Sequence, residues 1–220
     1  MTVRQVENAA ARAGVTAPKQ DRSRRSFEQV RRAVVEIVTE RAGGPFSIAE
    51  VSKRAGVSVG SIYGRVSGKA ELLRVVQAEE YDGVDEDLQQ KLAAAGSSDA
   101  SLDAQVRDVI RVFATALRDS APVLTPFFVL SMNDEVLRER GLRSAAANQD
   151  QFVRALARVA AAHEREFAAS DLTWTHEIVF STLARHIDFG SATSSFVQET
   201  YDWPELLERI CATALRYLNI

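Results

Sequence analysis

The sequence predicts an all-α protein with a small basic N-terminal domain and a larger acidic helical domain. Apolar residues recur at the three- and four-residue spacing of amphipathic helices along nearly all of the 220 residues, and no stretch alternates as a half-buried strand does. Residues 1–75 contain 14 Lys or Arg against 7 Asp or Glu, whereas residues 76–220 contain 13 against 23. The basic third suits contact with phosphates, and the acidic remainder favours solubility.

The overall composition is that of an ordinary globular protein, with 46% hydrophobic and 26% charged residues. No apolar run is long enough to span a bilayer, and the first residues lack the apolar core of a secretory signal. The single cysteine, Cys211, cannot form an internal disulfide. We therefore expect a cytoplasmic protein with no membrane segment, no metal site and no cofactor.

The N-terminal segment is predicted to be a tail that precedes the first long helix. Residues 1–21 are mostly small and polar and contain the helix breakers Gly14 and Pro18, which predicts a flexible segment. Helix one is expected from about Phe27 until the breakers at residues 43–45. Its apolar positions share one face: Phe27, Val30, Val34, Ile37 and Val38.

Two short helices are expected next, joined by a tight turn. Ser47 can cap the first, over residues 48–55, with Glu50 placed for a capping box. Gly56 turns the chain, and Ser58 can cap a second helix that runs to about residue 66. Two short helices with a glycine turn in a basic three-helix unit describe a helix-turn-helix, the motif that places one helix in the DNA major groove.

The remaining helices are predicted from periodicity and from residues typical of helix ends. A fourth helix begins near Lys69 and extends to about residue 94. Thr173 and Asp202 are placed as N-caps, and Gly141 and Gly190 as helix ends. The further helical segments are 101–118, 123–132, 134–140, 142–168, 173–190 and 203–218. The expected domains are 22–76 for the helix-turn-helix and 77–220 for the larger helical domain.

The amino-acid sequence of the helix-turn-helix segment resembles the DNA-binding signature of the TetR (tetracycline-repressor) family over roughly residues 27–76. The specific parts are Ile48-Ala49, Ala55-Gly56-Val57-Ser58, Ile62-Tyr63, and Lys69 followed by Glu71-Leu72. Two positions depart from the family pattern. Arg65 stands where an aromatic residue or His is usual, and Val59 where a polar residue is common. Gly64 inside the predicted second helix would cost about 1 kcal/mol relative to Ala.

The resemblance implies which residues contact DNA. Those expected in the major groove are Val59, Gly60, Ser61 and Tyr63, and those expected at phosphates are Ser47, Ser58, Arg65 and Lys69. Three further arginines precede helix one, and they either enter the minor groove, pair with phosphates or belong to a solvated tail: Arg22, Arg24 and Arg25.

The resemblance also implies that the second domain encloses a ligand cavity and forms a dimer through its last two helices. The expected cavity walls are Phe113, Leu117, Phe127, Phe128, Met132, Phe152, Leu156, Trp174 and Phe180. Expected polar anchors are His176, His186 or Asn148. The expected dimer contacts are Ile178, Leu183, Ile187, Leu206, Leu207, Ile210, Ala214 and Leu218. Ordinary core packing is the alternative for both sets.

These observations together predict a homodimeric transcriptional regulator. We expect it to bind a pseudo-palindromic double-stranded DNA operator and to be a repressor released by a small, largely apolar or aromatic ligand. The alternative is an architectural or partner-recruiting DNA-binding protein of the same fold without a ligand. An enzyme is not expected, because the segment that begins at His163 lacks the second His of a zinc-protease motif and Cys211 has no recognisable base partner.

Overall fold

The structure is a computed structural model that describes residues 3–97, 99–187 and 201–220, with side chains from residue 22 onward. Internal contacts divide the chain into two compact units, Met1–Val76 and Gln77–Ile220. All regular elements in the described ranges are helices, so the all-α prediction is confirmed. Their bounds are α1 Val3–Glu40, α2 Ile48–Ala55, α3 Val59–Tyr63, α4 Lys69–Ala94, α5 Leu102–Ser131, α6 Glu135–Ala162, α7 Ala169–His186 and α8 Trp203–Tyr217.

The first helix is longer than the sequence predicts. Its backbone is helical from Val3, so neither Gly14 nor Pro18 separates residues 3–21 from the helix that continues to Glu40. Once a helix is nucleated, each further residue adds one backbone hydrogen bond, and a Gly or Pro lowers this gain locally without ending the helix. Residues 3–21 therefore extend α1, where the sequence predicts a tail.

The core of the N-terminal unit forms where α1 meets the short helices. The predicted inner face of α1 is buried, apart from Phe27, which is half-buried. Burying side chains of this size stabilises a fold by about 1.5–3 kcal/mol each, which outweighs the weak intrinsic stability of the two short helices. The buried set comprises Val30, Val34, Ile37, Val38, Phe46, Ile48, Val51, Ile62, Val66, Leu72 and Val76.

In the C-terminal unit, two predicted breaks are absent. The structure has one helix, α5, where the sequence predicts separate segments 101–118 and 123–132, and Pro122 and Pro126 lie inside it. Similarly, α6 continues through Gly141, which the sequence predicts as a helix end. A proline removes a single backbone donor, and tertiary burial along α5, including that of Pro126, offsets this loss. A β-carbon at Gly141 would stand 3.8 Å from the Tyr81 ring, so the ring packs against this point of α6.

The ends of the last helices are partly as predicted. Asp202 caps α8, because its side chain accepts a hydrogen bond from the Glu205 backbone N–H. Thr173 is not an N-cap, since α7 already begins at Ala169. The predicted helix end at Gly190 lies outside the described residues.

The C-terminal core is built from one face of each long helix. The largest buried side chains come from α5, α6, α7 and α8: Ile110, Phe113, Phe152, Leu156, Val159, Val179, Leu183, Leu206 and Ile210. Cys211 is buried in the same cluster, and burial raises the pKa of its thiol. This thiol therefore contributes to packing as a small apolar group.

Two glycines of the C-terminal unit provide a matched test of this packing. Gly96 has a positive φ of 67°, and a β-carbon there would lie 2.5 Å from Val159 Cγ2. Gly96→Ala should therefore lower the free energy of unfolding by about 2 kcal/mol or more, through backbone strain and overpacking. Gly83 lies inside α4 with open space at its β-carbon position, so Gly83→Ala should be neutral or stabilising. Urea denaturation measures both, and equal effects would contradict the packing described.

Candidate nucleic-acid interface and ligand cavity

The turn between α2 and α3 has the conformation that a helix-turn-helix requires. Gly56 adopts the left-handed region with φ 64° and ends α2, and its N–H donates to the Ser52 carbonyl. The Ser52 hydroxyl in turn donates to the Val57 carbonyl at 2.7 Å. A side chain at residue 56 would strain this backbone, so the glycine is required by conformation.

The start of α2 is held by the predicted capping box. The Glu50 N–H donates to the Ser47 hydroxyl at 3.3 Å, and the Ser47 N–H donates to Glu50 Oε2 at 2.8 Å. Arg41 contacts the same carboxylate at 2.6 Å. The Arg41 hydrogen bond, followed by the bonds from Ser47, lowers the pKa of Glu50 from 4.5 to about 2. The carboxylate therefore stays ionised and fixes α2 against the end of α1.

The outward face of α3 carries all four residues predicted for the major groove. Ile62 points inward and is 2% exposed, whereas Val59 is 38% and Tyr63 51% exposed. Gly60 and Ser61 are exposed as well. Ile62 occupies one side of a single helical turn, and these four exposed residues are distributed around the rest of it. They form a continuous surface of small and aromatic groups that can approach base edges.

Gly64 lies at the end of α3 and not inside it. It is the C-cap residue, and its N–H donates to the Gly60 carbonyl. The cost that the sequence predicts for an interior glycine therefore does not apply. A β-carbon at this position would be 3.4 Å from the Gly60 oxygen, which is an ordinary contact distance.

The two cationic residues predicted at phosphates are each supported by an aromatic ring. The Arg65 guanidinium lies 5.0 Å from the centre of the Phe27 ring and donates to the Ser23 hydroxyl. Lys69 Nζ lies 4.3 Å from the centre of the Phe46 ring. These contacts restrict where the two charges lie. Neither supporting role is evident from the sequence, because the spacing of Phe27 indicates only a core position and Phe46 lies outside the predicted helices.

The two serines predicted at phosphates make internal hydrogen bonds. The Ser47 hydroxyl and N–H both donate to Glu50, so its donors are already used in the cap. Ser58 caps α3 by accepting from the Ser61 N–H at 3.1 Å, and the two hydroxyls are 2.8 Å apart. Their observed role is to fix the short helices. A phosphate contact by Ser47 would require it to exchange its bonds with Glu50.

The three N-terminal arginines are exposed on α1 and not on an extended arm. Arg22, Arg24 and Arg25 follow one another along the helix, and the Arg22 carbonyl accepts a hydrogen bond from Ser26. An α-helix with its side chains is about 10–12 Å wide, whereas the minor groove of B-DNA is about 6 Å wide. The helix itself is therefore too wide to enter the minor groove, and these arginines can reach DNA only through their side chains.

A cavity of about 300 Å³ lies within the C-terminal unit. Helices α4, α5, α6 and α7 all contribute to its wall. The lining residues are Val84, Leu88, Phe113, Ala116, Leu117, Leu124, Ala145, Ala146, Asn148, Gln149, His176, Glu177 and Phe180. The wall is therefore apolar and aromatic, with a polar group from α6 and α7.

The sequence predicted part of this wall. Phe113, Leu117 and Phe180 line the cavity, as do the predicted anchors Asn148 and His176. Phe127, Phe152 and Leu156 are buried in the core without lining it, and Phe128, Met132 and Trp174 are exposed. His186 lies instead beside the groove between α7 and α8. Periodicity identifies the apolar residues of a helix but not which neighbour, cavity or solvent each one faces.

Some wall residues were missed by sequence reasoning. Val84 and Leu88 are four residues apart on α4, a spacing that indicates one helix face. Ala145 and Ala146 are small, and such residues leave the space that larger side chains would fill. The sequence does not indicate that Gln149 and Glu177 line a cavity, because polar residues at these positions are equally typical of a solvated surface.

His176 lies at the centre of an aromatic cluster beside the cavity. Its ring stacks on Phe180 with a centroid distance of 5.7 Å and meets the rings of Phe113 and Phe152 at 5.3 and 5.5 Å in edge contacts. Burial lowers the pKa of His176, and the nearby Glu177 carboxylate only partly opposes this. The imidazole is therefore neutral at physiological pH.

No protein-family model and no curated protein sequence matches the chain. Among solved structures, the chain is similar to a protein described as a TetR-family regulator from Mesorhizobium loti, with a TM-score of 0.66 and 14% identity over 90% of this chain and 97% of that one. It is also similar to FadR from Bacillus subtilis in complex with stearoyl-CoA, with a TM-score of 0.58 and 15% identity over 87% of this chain and 97% of that one. For the fatty acid degradation regulator FadR from Bacillus halodurans, the TM-score is 0.61 and the identity 15%, over 86% of this chain and 94% of that one.

The chain has the fold of TetR-family transcriptional regulators. The resemblance of the helix-turn-helix segment and the similarity of the whole structure thus agree on the fold. Within this TetR fold, the part of the chain that the structure describes contains no helix able to cross a membrane. The described side chains also include no cluster of three or more His, Cys, Asp or Glu able to hold a metal ion.

The residues predicted for a TetR-type dimer contact divide into two groups. Five are buried in the single chain, and two of these, Leu206 and Ile210, also line the groove between α7 and α8: Leu183, Leu206, Ile210, Ala214 and Leu218. Ile178, Ile187 and Leu207 remain partly exposed. The accessible groove between α7 and α8 is lined by Ile178, Thr182, Arg185, His186, Arg209 and Thr213 among others. The broad apolar stripe of α8 is therefore mainly a core face.

The neutral state of His176 predicts how stability depends on pH. The unfolded chain binds a proton at His176 with a pKa of about 6.5, and the folded site resists protonation because it is buried. The free energy of unfolding should therefore fall as the pH decreases below about 6.5. His176→Phe keeps a ring in the cluster and should reduce this fall. Urea denaturation at a series of pH values measures it, and an unchanged pH dependence in the variant would refute the assignment.

Proposed function

We propose that this protein is a sequence-specific DNA-binding transcriptional regulator that acts as a homodimer and is a repressor released by a small, largely apolar or aromatic ligand. The observation that carries the proposal is the exposed face of α3. Val59 and Tyr63 are apolar or aromatic and solvent-exposed, yet they stand on a helix held by a side-chain cap and a buried Ile62. Contact of this face with the edges of DNA bases would explain why these side chains are exposed.

Charge supports the same assignment. The first 75 residues carry a net charge of +7, whereas the remainder carries −10. Arg65 and Lys69 both follow α3 closely in the sequence, and each is positioned on an aromatic ring. We infer that the phosphate contacts set the register and affinity, and that the four residues of α3 select the sequence.

The cavity supports control by a small molecule. Its wall includes Val84 and Leu88 of α4, the helix that begins at Lys69 in the DNA-binding unit. A ligand that favours one position of this helix changes the population of DNA-binding conformers. Its largest effect on DNA affinity equals its own preference between those conformers. The similar FadR from Bacillus subtilis is solved in complex with stearoyl-CoA, which supports a ligand-responsive role for this chain.

The second candidate function is a DNA-binding protein that recruits a partner without a small molecule. The observation that favours it is a set of exposed apolar side chains around the end of α5 and the first half of α6, where Met132 is 70% and Leu142 63% exposed. Operator binding that does not respond to any small molecule, together with retention of a partner protein, would support this candidate.

Affinity selection on random duplex DNA tests the proposal directly. The purified full-length protein should enrich a pseudo-palindromic site and bind it with strong salt dependence, because phosphate contacts release counterions. Weak binding without sequence preference, from a protein shown to be folded and dimeric, would overturn the assignment as a specific regulator.

Removal of one phosphate contact should weaken binding to all sequences alike. For Lys69→Ala we expect the plot of log affinity against log salt concentration to become less steep. The magnitude of its slope should fall by about one for each half-site contacted. Arg65→Ala should act similarly, but it also removes the contact with Phe27, so its thermal stability must be measured in parallel. Lys91→Ala is the matched control, because Lys91 lies near the other end of α4 and pairs with Asp87. Unchanged salt slopes in both test variants would refute the phosphate roles.

Substitution on the outward face of α3 should change sequence preference and not only affinity. Val59→Ser removes the apolar group expected to contact a thymine methyl, and it should relax selection at one base pair of each half-site by about 1 kcal/mol. Ser61→Ala should alter selection at a neighbouring position. Repeating the affinity selection with each variant measures this. The same consensus from all three proteins would contradict direct readout by these residues.

A further inference from the structure

The cavity has a chemical asymmetry that indicates what kind of molecule it takes. Its apolar side comes from α4, α5 and Phe180, and its polar side from Asn148, Gln149, His176 and Glu177 of α6 and α7. An inference about the ligand rests on the proposed function, which assigns this cavity as the effector site. It extends that function by specifying the charge, the size and the hydrogen-bonding group of the effector.

The polar side of the cavity contains an unused acceptor. Asn148 Oδ1 is buried from solvent and accepts no hydrogen bond from any described residue. A buried amide oxygen without a partner has lost its hydration and gained no hydrogen bond in return. Because the terminal torsion of Asn is soft, the amide can rotate to present this carbonyl to a donor inside the cavity. A ligand that carries a hydroxyl or N–H group would satisfy it.

The charges of the wall argue against an acidic ligand. Glu177 is the only charged side chain among the described residues that line the cavity, and it carries a negative charge. It is exposed and accepts a hydrogen bond from Gln149 Nε2 at 2.9 Å. The neutral His176 provides no positive charge. A carboxylate or phosphate group would therefore lose its hydration without gaining a partner, and Glu177 would repel it.

A cationic ligand is also poorly matched. The carboxylate of Glu177 is at the solvent-exposed edge and is already bound by Gln149, whereas the deeper polar groups are an amide and a neutral imidazole. A cation seated against the aromatic cluster, away from this exposed edge, would lose its hydration and gain only the weak attraction of the ring faces. The interior instead matches an uncharged molecule.

The size and the wall define the remaining features. A volume of about 300 Å³ corresponds to roughly ten water molecules, which suits one or two fused rings. His176 and Phe180 are stacked nearly parallel, with planes 12° apart, and Phe113 meets His176 edge-on. Flat rings pack well against such groups. A long acyl chain with a charged nucleotide head does not match this space or these charges.

We propose that the effector is a compact, uncharged aromatic or alicyclic molecule that donates a hydrogen bond to Asn148 Oδ1. By this assignment the chain differs in ligand chemistry from the similar FadR of Bacillus subtilis, which is solved in complex with stearoyl-CoA. Asn148 acts as a specificity-determining residue, and the aromatic cluster provides most of the contact area.

A series of matched probes tests each part of the proposal by calorimetry on the full-length protein without DNA. The probes are 1-naphthol, naphthalene, 1-naphthoate, 1-naphthylmethylammonium and stearoyl-CoA. We expect 1-naphthol to bind about three- to tenfold more tightly than naphthalene, as one net hydrogen bond provides. The two charged naphthyl probes and stearoyl-CoA should bind at least about tenfold more weakly than 1-naphthol.

Two matched variants identify the acceptor. Asn148→Leu should lower the affinity for 1-naphthol to that for naphthalene and leave naphthalene binding in place. Gln151→Leu is the control, because Gln151 Oε1 is also buried without a partner but does not line the cavity. That variant should keep the wild-type preference. If either variant fails to fold, the comparison of 1-naphthol with naphthalene on the wild-type protein still shows whether a hydrogen-bond donor on the ligand increases its affinity.

Each outcome has a defined meaning. Equal binding of 1-naphthol and naphthalene overturns the hydrogen bond, tighter binding of a charged probe or of stearoyl-CoA overturns the uncharged ligand, and no binding by any probe overturns the assignment of the cavity. DNA binding is measured separately on the selected operator without probes. A failure there refutes the proposed function, whereas the calorimetric series alone decides the ligand class.

Discussion

The orientation of α3 depends on the burial of one side chain, Ile62. A helix of five residues is far too short to be stable in isolation, so its geometry must come from its surroundings. Ile62 anchors it to the core built on α1, Ser58 caps its start, and Gly56 sets the angle at which it leaves α2. The exposed face that we assign to DNA recognition exists because these three constraints act on a single helical turn.

The second unit contains a cavity between helices that are otherwise closely packed. Alanines on α5 and α6 leave space, and an aromatic cluster around His176 prevents the helices from closing it. On one side of this space, Asn148 Oδ1 accepts no hydrogen bond from the described residues. Incomplete satisfaction lowers the stability of the unliganded protein slightly and gives a ligand with the right group an energetic advantage.

The predictions that succeeded rest on local patterns. The caps at Ser47 and Asp202, the left-handed Gly56 and the apolar face of α1 were all readable, because each depends on residues within a few positions of one another. The errors occurred where distant packing overrides local preference. Pro122, Pro126 and Gly141 are typical of helix ends, yet each lies inside a helix whose long buried face outweighs one lost hydrogen bond or one flexible residue.

The sequence by itself determined the helical class, the division of charge, the helix-turn-helix and the resemblance that led to a regulator. Only the tertiary structure decided which side chains face what: that Met132 and Trp174 are exposed, that the stripe of α8 is mainly core, and that the N-terminal arginines stand on a helix. The reason is physical. Periodicity identifies the apolar face of a helix, whereas the neighbour of that face is chosen by contacts between residues far apart in the chain.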